Sequence, residues 1–153
     1  MKNYVKYIRD RVGSDRIIMV GGGVYVYKDG KTLLQMRKDN GCWGNHGGYM
    51  EMGETTEETA RRELFEETGL VAGEMQMLGT FSGPELFYTY PNGDQICLVD
   101  VVYICQDFSG EMHEENNEVA ELRWFGIDDI PANFSPPNKK ALAAFVEWAK
   151  NQN

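Results

Sequence analysis

Apolar residues along this chain change their period several times, and each change marks an element. Tyr4, Val5, Tyr7, Ile8 and Val12 recur at helical spacing and Gly13-Ser14 ends the run, predicting a short helix that covers a sheet or rims a pocket. Residues 17–27 are β-rich, interrupted by Gly21, Gly22 and Gly23. Three glycines in a strand predict a bulge or the close approach of another backbone; the run lacks the spacing of a phosphate-cradling loop. Asp29-Gly30 is a hairpin signal that returns the chain as a strand over 31–36. Residues 39–47 read as a loop.

Further on, residues 75–87 and 95–105 read as strands joined by the turn Pro91-Asn92-Gly93-Asp94. In the second of them Val99, Val101 and Tyr103 alternate with Leu98, Asp100, Val102 and Ile104, so it is apolar on nearly both faces and belongs mid-sheet. Asp100 breaks that run. Buried charge is costly unless paired, so this residue must lie near an opening or bond to a neighbour. A polar loop over 107–117 precedes a strand over 119–125. Ser135-Pro136-Pro137 predicts a helix start, Ser135 as cap and proline in the first turn, and Leu142, Phe145, Val146 and Ala149 form the stripe that packs on the sheet.

The stretch from Gly48 to Leu70 is different, because carboxylates dominate it. On a helix over 55–68, at about 100° per residue, Glu63, Glu66 and Glu67 share one face. Like charges at that spacing repel. A solvated acidic helix would relieve the repulsion by alternating Glu with Lys. A hard divalent cation relieves it differently, through oxygen ligands of this kind. Gly69 is placed to stop the helix as a left-handed cap.

Gly48, Glu54, Arg62, Glu63, Leu64, Glu66, Glu67, Gly69 and Leu70 reproduce, with every spacing kept, the box by which the Nudix hydrolase family (MutT-like) is recognised. The resemblance implies an α/β fold, a Nudix-type α/β/α sandwich with a mixed β-sheet. It also implies a magnesium- or manganese-dependent hydrolase that cleaves the pyrophosphate of a nucleoside diphosphate linked to another moiety. ADP-ribose or a nucleoside diphosphate sugar is the first expectation for substrate; oxidised nucleoside triphosphates and dinucleoside polyphosphates are the others.

By the same resemblance Glu63 and Glu67 ligate metal, with Glu66 and the Gly48 carbonyl completing the set. Glu63, then Glu66, is the expected general base. Arg62 orients a neighbouring carboxylate, and Glu54 sits behind the ligands or bridges metals. In many members an acidic residue outside the box joins the site, for which Glu118 is the choice and Glu115 the second. Where many members carry an apolar residue and Pro before the paired glycines, this chain has Asn45-His46. His46 is either a polar loop residue or, with an imidazole that titrates near neutrality, a general base; the first is preferred. Arg37 and Lys38 meet substrate phosphates or merely solubilise the surface. Among Phe81, Phe87, Tyr88 and Tyr90, which packing or base stacking would explain, Tyr88 is the candidate substrate contact.

Bulk properties narrow the partners. At 153 residues one domain with a real core is expected, and 42 % apolar with 25 % charged residues is ordinary globular composition. A net charge of -9 disfavours nucleic-acid polymers and anionic membranes, yet leaves small phosphorylated ligands open where a bound cation supplies positive charge. Cys42, Cys97 and Cys105 lack metal-ligand spacing and read as reduced thiols. With a charged N-terminus and no membrane-length apolar run, the expected compartment is the cytoplasm. Homodimers are frequent in the family. The competing readings are a catalytically silent module that senses a nucleotide or ADP-ribose, and an acidic structural protein with no ligand.

Overall fold

The computed structural model describes residues 3–113 and 119–152. In chain order the elements are α1 (Tyr4–Val12), β1 (Ile17–Lys28), β2 (Lys31–Arg37), β3 (Trp43–Gly44), β4 (His46–Tyr49), α2 (Thr56–Thr68), β5 (Val71–Ala72), β6 (Met75–Phe81), β7 (Phe87–Thr89), β8 (Gln95–Cys105), β9 (Phe108–Ser109), β10 (Val119–Gly126) and α3 (Lys139–Lys150). The main sheet runs β10-β2-β1-β8-β6, with β3 on β2, β4 on β1 and β7 on β8. β1 and β8 are parallel and the other pairs antiparallel, which makes the sheet mixed. The β1–β2 hairpin turns through Asp29 and Gly30, both at positive φ, as the Asp-Gly pair predicts.

Alternation along β1 sorts the two faces. Val24 and Val26 point to α2, where Ala60, Leu64, Leu70, Val101 and Tyr103 join them. Tyr25 and Tyr27 point to α3, and Tyr25 stacks on Phe145 with centroids 4.3 Å apart. α1 caps a third cluster built on Met19, Leu86, Ile96 and Leu98. The layers are therefore the expected α/β/α sandwich, and β8 lies mid-sheet as its two-sided apolar pattern requires.

Three expectations are corrected. The strand read over 75–87 ends at Phe81, because Gly83 at positive φ and the donorless Pro84 start a 3₁₀ turn before β7. Residues 39–47 are not all loop: β3 and the first residues of β4 pair with β2 and β1. Ser135 makes no side-chain cap bond. The two prolines supply no N–H, so a 3₁₀ turn over Pro136–Asn138 comes first and α3 starts at Lys139.

α2 is bounded as its sequence dictates. Thr55 Oγ1 accepts from the Glu58 amide at 3.1 Å, the Glu58 carboxylate accepts from the Thr55 amide at 2.9 Å, and Gly69 ends the helix at φ 84°. The glycine run explains how closely α2 docks: a Cβ on Gly22 would lie 2.4 Å from the Thr56 carbonyl and 2.9 Å from Thr59 Cβ. Gly22→Ala is expected to destabilise the fold by at least about 2 kcal/mol through overpacking against backbone. Gly44→Ala, whose Cβ would meet Ser135 at an ordinary 3.7 Å, is expected to change stability by less than roughly 1 kcal/mol. Urea denaturation of both variants checks the contrast.

Candidate active site

Arg62 joins the loop before α2 to the helix itself. Its Nε and Nη2 donate to the two Glu54 oxygens at 2.6 and 3.0 Å, and Nη2 also reaches the Tyr49 carbonyl at 3.1 Å. Nη1 donates to Glu63 at 2.9 Å and lies 3.4–3.5 Å from the Glu66 oxygens. Hydrogen bonds from Arg62 hold the Glu54 carboxyl down at about 2 against the opposing effect of burial, so Glu54 is a fixed anion.

Glu63 and Glu67 face a cleft of about 350 Å³ that is also lined by Gly48, Arg37, Tyr88 and Tyr90. Burial, then the charges of Glu67 and Glu66, push the Glu63 carboxyl up to about 8 despite Arg62. Gly48 is a glycine for a stated reason: a Cβ there would lie 2.3 Å from Glu63 Oε1. Gly48 pairs with Gly22 in β1, and a Cβ on Gly21 would press on the Gly48 carbonyl at 3.4 Å. Glu67 is buried, and its Oε1 accepts from the Gly47 amide at 3.2 Å and Gln35 Nε2 at 3.1 Å, with His46 Nδ1 at 3.3 Å. Among the described residues no three acidic, His or Cys side chains converge on one point.

The sequence candidates therefore separate. Gly48, Glu63, Glu67, Arg37 and Tyr88 share the cleft, whereas Glu66 turns to Arg62 and Glu54 lies behind it. Glu118 and Glu115 lie outside the described residues. Arg37 forms a two-pronged pair with Asp39, at 2.9 and 2.8 Å, and Asn40 Nδ2 donates to the Tyr88 hydroxyl at 3.0 Å. Tyr90 packs edge-on to Tyr88 and its hydroxyl bonds that of Tyr49. Phe81 and Phe87 are absent from the cleft lining.

His46 corrects the loop reading: it is fully buried on β4, absent from the cleft lining, and contacts Glu67. Burial pushes its imidazole down to about 4 and keeps it neutral near pH 7. An imidazole sealed from the cleft cannot take a proton from water in it, which removes the general-base alternative. Sequence reasoning missed Gln35, and also Asn45 and Asn138, which line the cleft. Isolated amides carry no spacing signal that could have found them.

A model of the NUDIX domain matches residues 19–145. Over 151 residues the chain is 31 % identical to an ADP-ribose pyrophosphatase from Methanocaldococcus jannaschii, covering 97 % of this chain and 80 % of that protein. It is 35 % identical over 114 residues to an oxidized purine nucleoside triphosphate hydrolase from Danio rerio, covering 71 % of this chain and 66 %, just under two thirds, of the relative. A crystal structure of a MutT NUDIX hydrolase from Burkholderia pseudomallei superposes with a TM-score of 0.71 at 31 % identity, over 83 % of this chain and 97 % of that one. The chain belongs to the Nudix family. Within that family it is a pyrophosphohydrolase. Among the described residues no helix is long and apolar enough to cross a membrane.

Asp100 resolves the question its sequence raised in both ways at once. It is 4 % exposed, its Oδ2 lies 3.5 Å from Asn138 Nδ2, and it forms part of the cleft floor beside Gly21 and Gly23. Burial pushes its carboxyl up to about 6, which the Asn138 contact only partly offsets. A carboxyl whose pKa is raised by folding favours the native state below its unfolded value, near 4, and loses that contribution as pH rises through about 6. Asp100→Asn is therefore expected to gain on the wild type between pH 4 and pH 8, by at most roughly 3 kcal/mol. Denaturation curves of both proteins across that range check it; a pH-independent difference would contradict it.

Proposed function

We propose that this chain hydrolyses the pyrophosphate linkage of a nucleoside diphosphate joined to another moiety, with ADP-ribose or a related nucleoside diphosphate sugar as substrate. The observation that carries the reading is the meeting of Glu63, Glu67 and Gly48 in the lining of the cleft that also holds Arg37 and Tyr88. The likeness to an ADP-ribose pyrophosphatase over 97 % of the chain supports the substrate class.

The site fits a divalent cation by its chemistry. Its donors are all oxygen, burial and then the charge of Glu67 raise the Glu63 carboxyl, and the glycine at position 48 leaves room for that carboxylate beside the backbone. Mg²⁺ or Mn²⁺ would be held by Glu63, Glu67 and the Gly48 carbonyl, with Glu66 swinging from Arg62 to join. When bound, such an ion lowers the pKa of water and neutralises phosphoryl oxygens.

The chain's own residues do the rest. Arg37 supplies fixed positive charge at the cleft wall for the diphosphate, held in place by Asp39. Tyr88 and Tyr90 offer ring surface for the nucleoside. Ionised once a bound cation offsets the charges of Glu67 and Glu66, the Glu63 carboxylate would take the proton from the attacking water, and Arg62 fixes it for that transfer. The Danio rerio relative supports a second substrate class, oxidised purine nucleoside triphosphates. A panel of both classes under Mg²⁺ and Mn²⁺, with products identified, discriminates them; turnover of neither would overturn the proposal.

Glu67→Gln is expected to lower turnover by at least about a hundredfold with the circular dichroism spectrum unchanged, since ligand loss removes water activation and charge neutralisation together. Near-wild-type turnover in the folded variant would remove Glu67 from the site.

A further inference from the structure

We infer that His46 is a positioning residue for the metal site, acting through Glu67; the inference rests on the reading of Glu67 as a ligand. Three donors converge on a single oxygen, Glu67 Oε1: the Gly47 amide, the Gln35 side-chain amide and His46 Nδ1. The first two are obligate N–H donors, so the oxygen they share is an acceptor. The imidazole then meets it through a protonated Nδ1. That leaves Nε2 as a bare acceptor, and among the described residues it is buried without a hydrogen-bond partner. Nδ1 is thus the ring nitrogen that meets a side chain, that of Glu67, while the ring also lies by the Leu33 backbone.

The placement follows from local sequence. His46 opens β4, pairs with Val24 in β1 and is completely buried, so its ring has no latitude to turn away. Gln35, on β2, is 2 % exposed and anchored through the Asn45 carbonyl at 3.1 Å. Two different strands thus present side-chain donors to the same side of one carboxylate that arrives from α2. A carboxylate fixed through one oxygen presents the other in a set direction. Outer partners that orient ligating groups in this way typically alter metal affinity or activity 10- to 100-fold when removed. A proline at position 46, as in the pattern of many family members, brings no such donor; here Gln35 and His46 supply it.

The test is Mn²⁺ binding to the purified full chain, followed by the electron paramagnetic resonance of free Mn²⁺ and without substrate, with metal-free thermal midpoints recorded alongside. His46→Leu is expected to weaken Mn²⁺ binding about tenfold. His46→Asn, which keeps an N–H near the Nδ1 position, is expected to restore most of it. The loss of turnover in His46→Leu should shrink as Mn²⁺ is raised, which a general packing defect would not produce. Unchanged Mn²⁺ affinity in folded His46→Leu, or equal losses in the Leu and Asn variants, would overturn the inference. Should His46→Leu fail to fold, Gln35→Met removes the other side-chain donor: weakened binding supports the inference and unchanged binding overturns it. Glu67→Gln separates the two layers. If it leaves Mn²⁺ binding intact the ligand reading fails, whereas if it abolishes binding that His46→Leu does not disturb, only the positioning role fails.

Discussion

One guanidinium holds this site together. Arg62 reaches back from α2 to Glu54 and the Tyr49 carbonyl while gripping Glu63 on its own helix, so the loop and the helix cannot move independently. Ion pairs on an open surface contribute little, but this one is partly buried, two-pronged and shared among several acceptors. Without it Glu54, Glu63 and Glu66 would lose the donor they share. The glycines work with it: Gly22 lets α2 approach the sheet, and Gly48 leaves space for the Glu63 carboxylate.

The acidity of the chain and its affinity for an anionic substrate are reconciled at this scale. A net charge of -9 describes the whole surface, whereas the cleft brings together Arg37 and a carboxylate pair that, on the proposed reading, holds a cation for the diphosphate. Buried carboxylates are costly unless neutralised or bonded, and the site uses both devices. Glu54 is bonded into permanence, Glu67 is fixed by donors from two strands, and Glu63 is left with a carboxyl near 8, ready for a positive partner. The same contacts tie the Glu67 carboxylate to positions far from the surface, His46 and Gln35.

Much of this was legible in the residues. The β-rich run of β1, the two-sided apolar run of β8 and the terminal Gly69 are local signals, and each element formed as its signal required. Gly22 announced a close backbone approach, and Asp100 announced an opening or a partner. What could not be read was tertiary. β3 and β4 are two and four residues long, too short for any periodicity, and they exist because β2 and β1 offer edges to pair with. The break after Phe81 carried its cue in Gly83-Pro84 but was outweighed by the apolar residues around it. The cleft face of Asn45 and Asn138, and the orientation of His46 toward Glu67, depend on which strands become neighbours, which single-chain spacing does not encode. The choice of Glu118 lies outside the described residues.

The most direct measurement is anomalous diffraction at the manganese edge from crystals soaked in Mn²⁺. The account predicts a peak within coordination distance of a Glu63 oxygen, a Glu67 oxygen and the Gly48 carbonyl, with Arg62 still clasping Glu54. Occupied manganese elsewhere on the chain, with those oxygens unliganded and Glu63 still turned to Arg62, would contradict it.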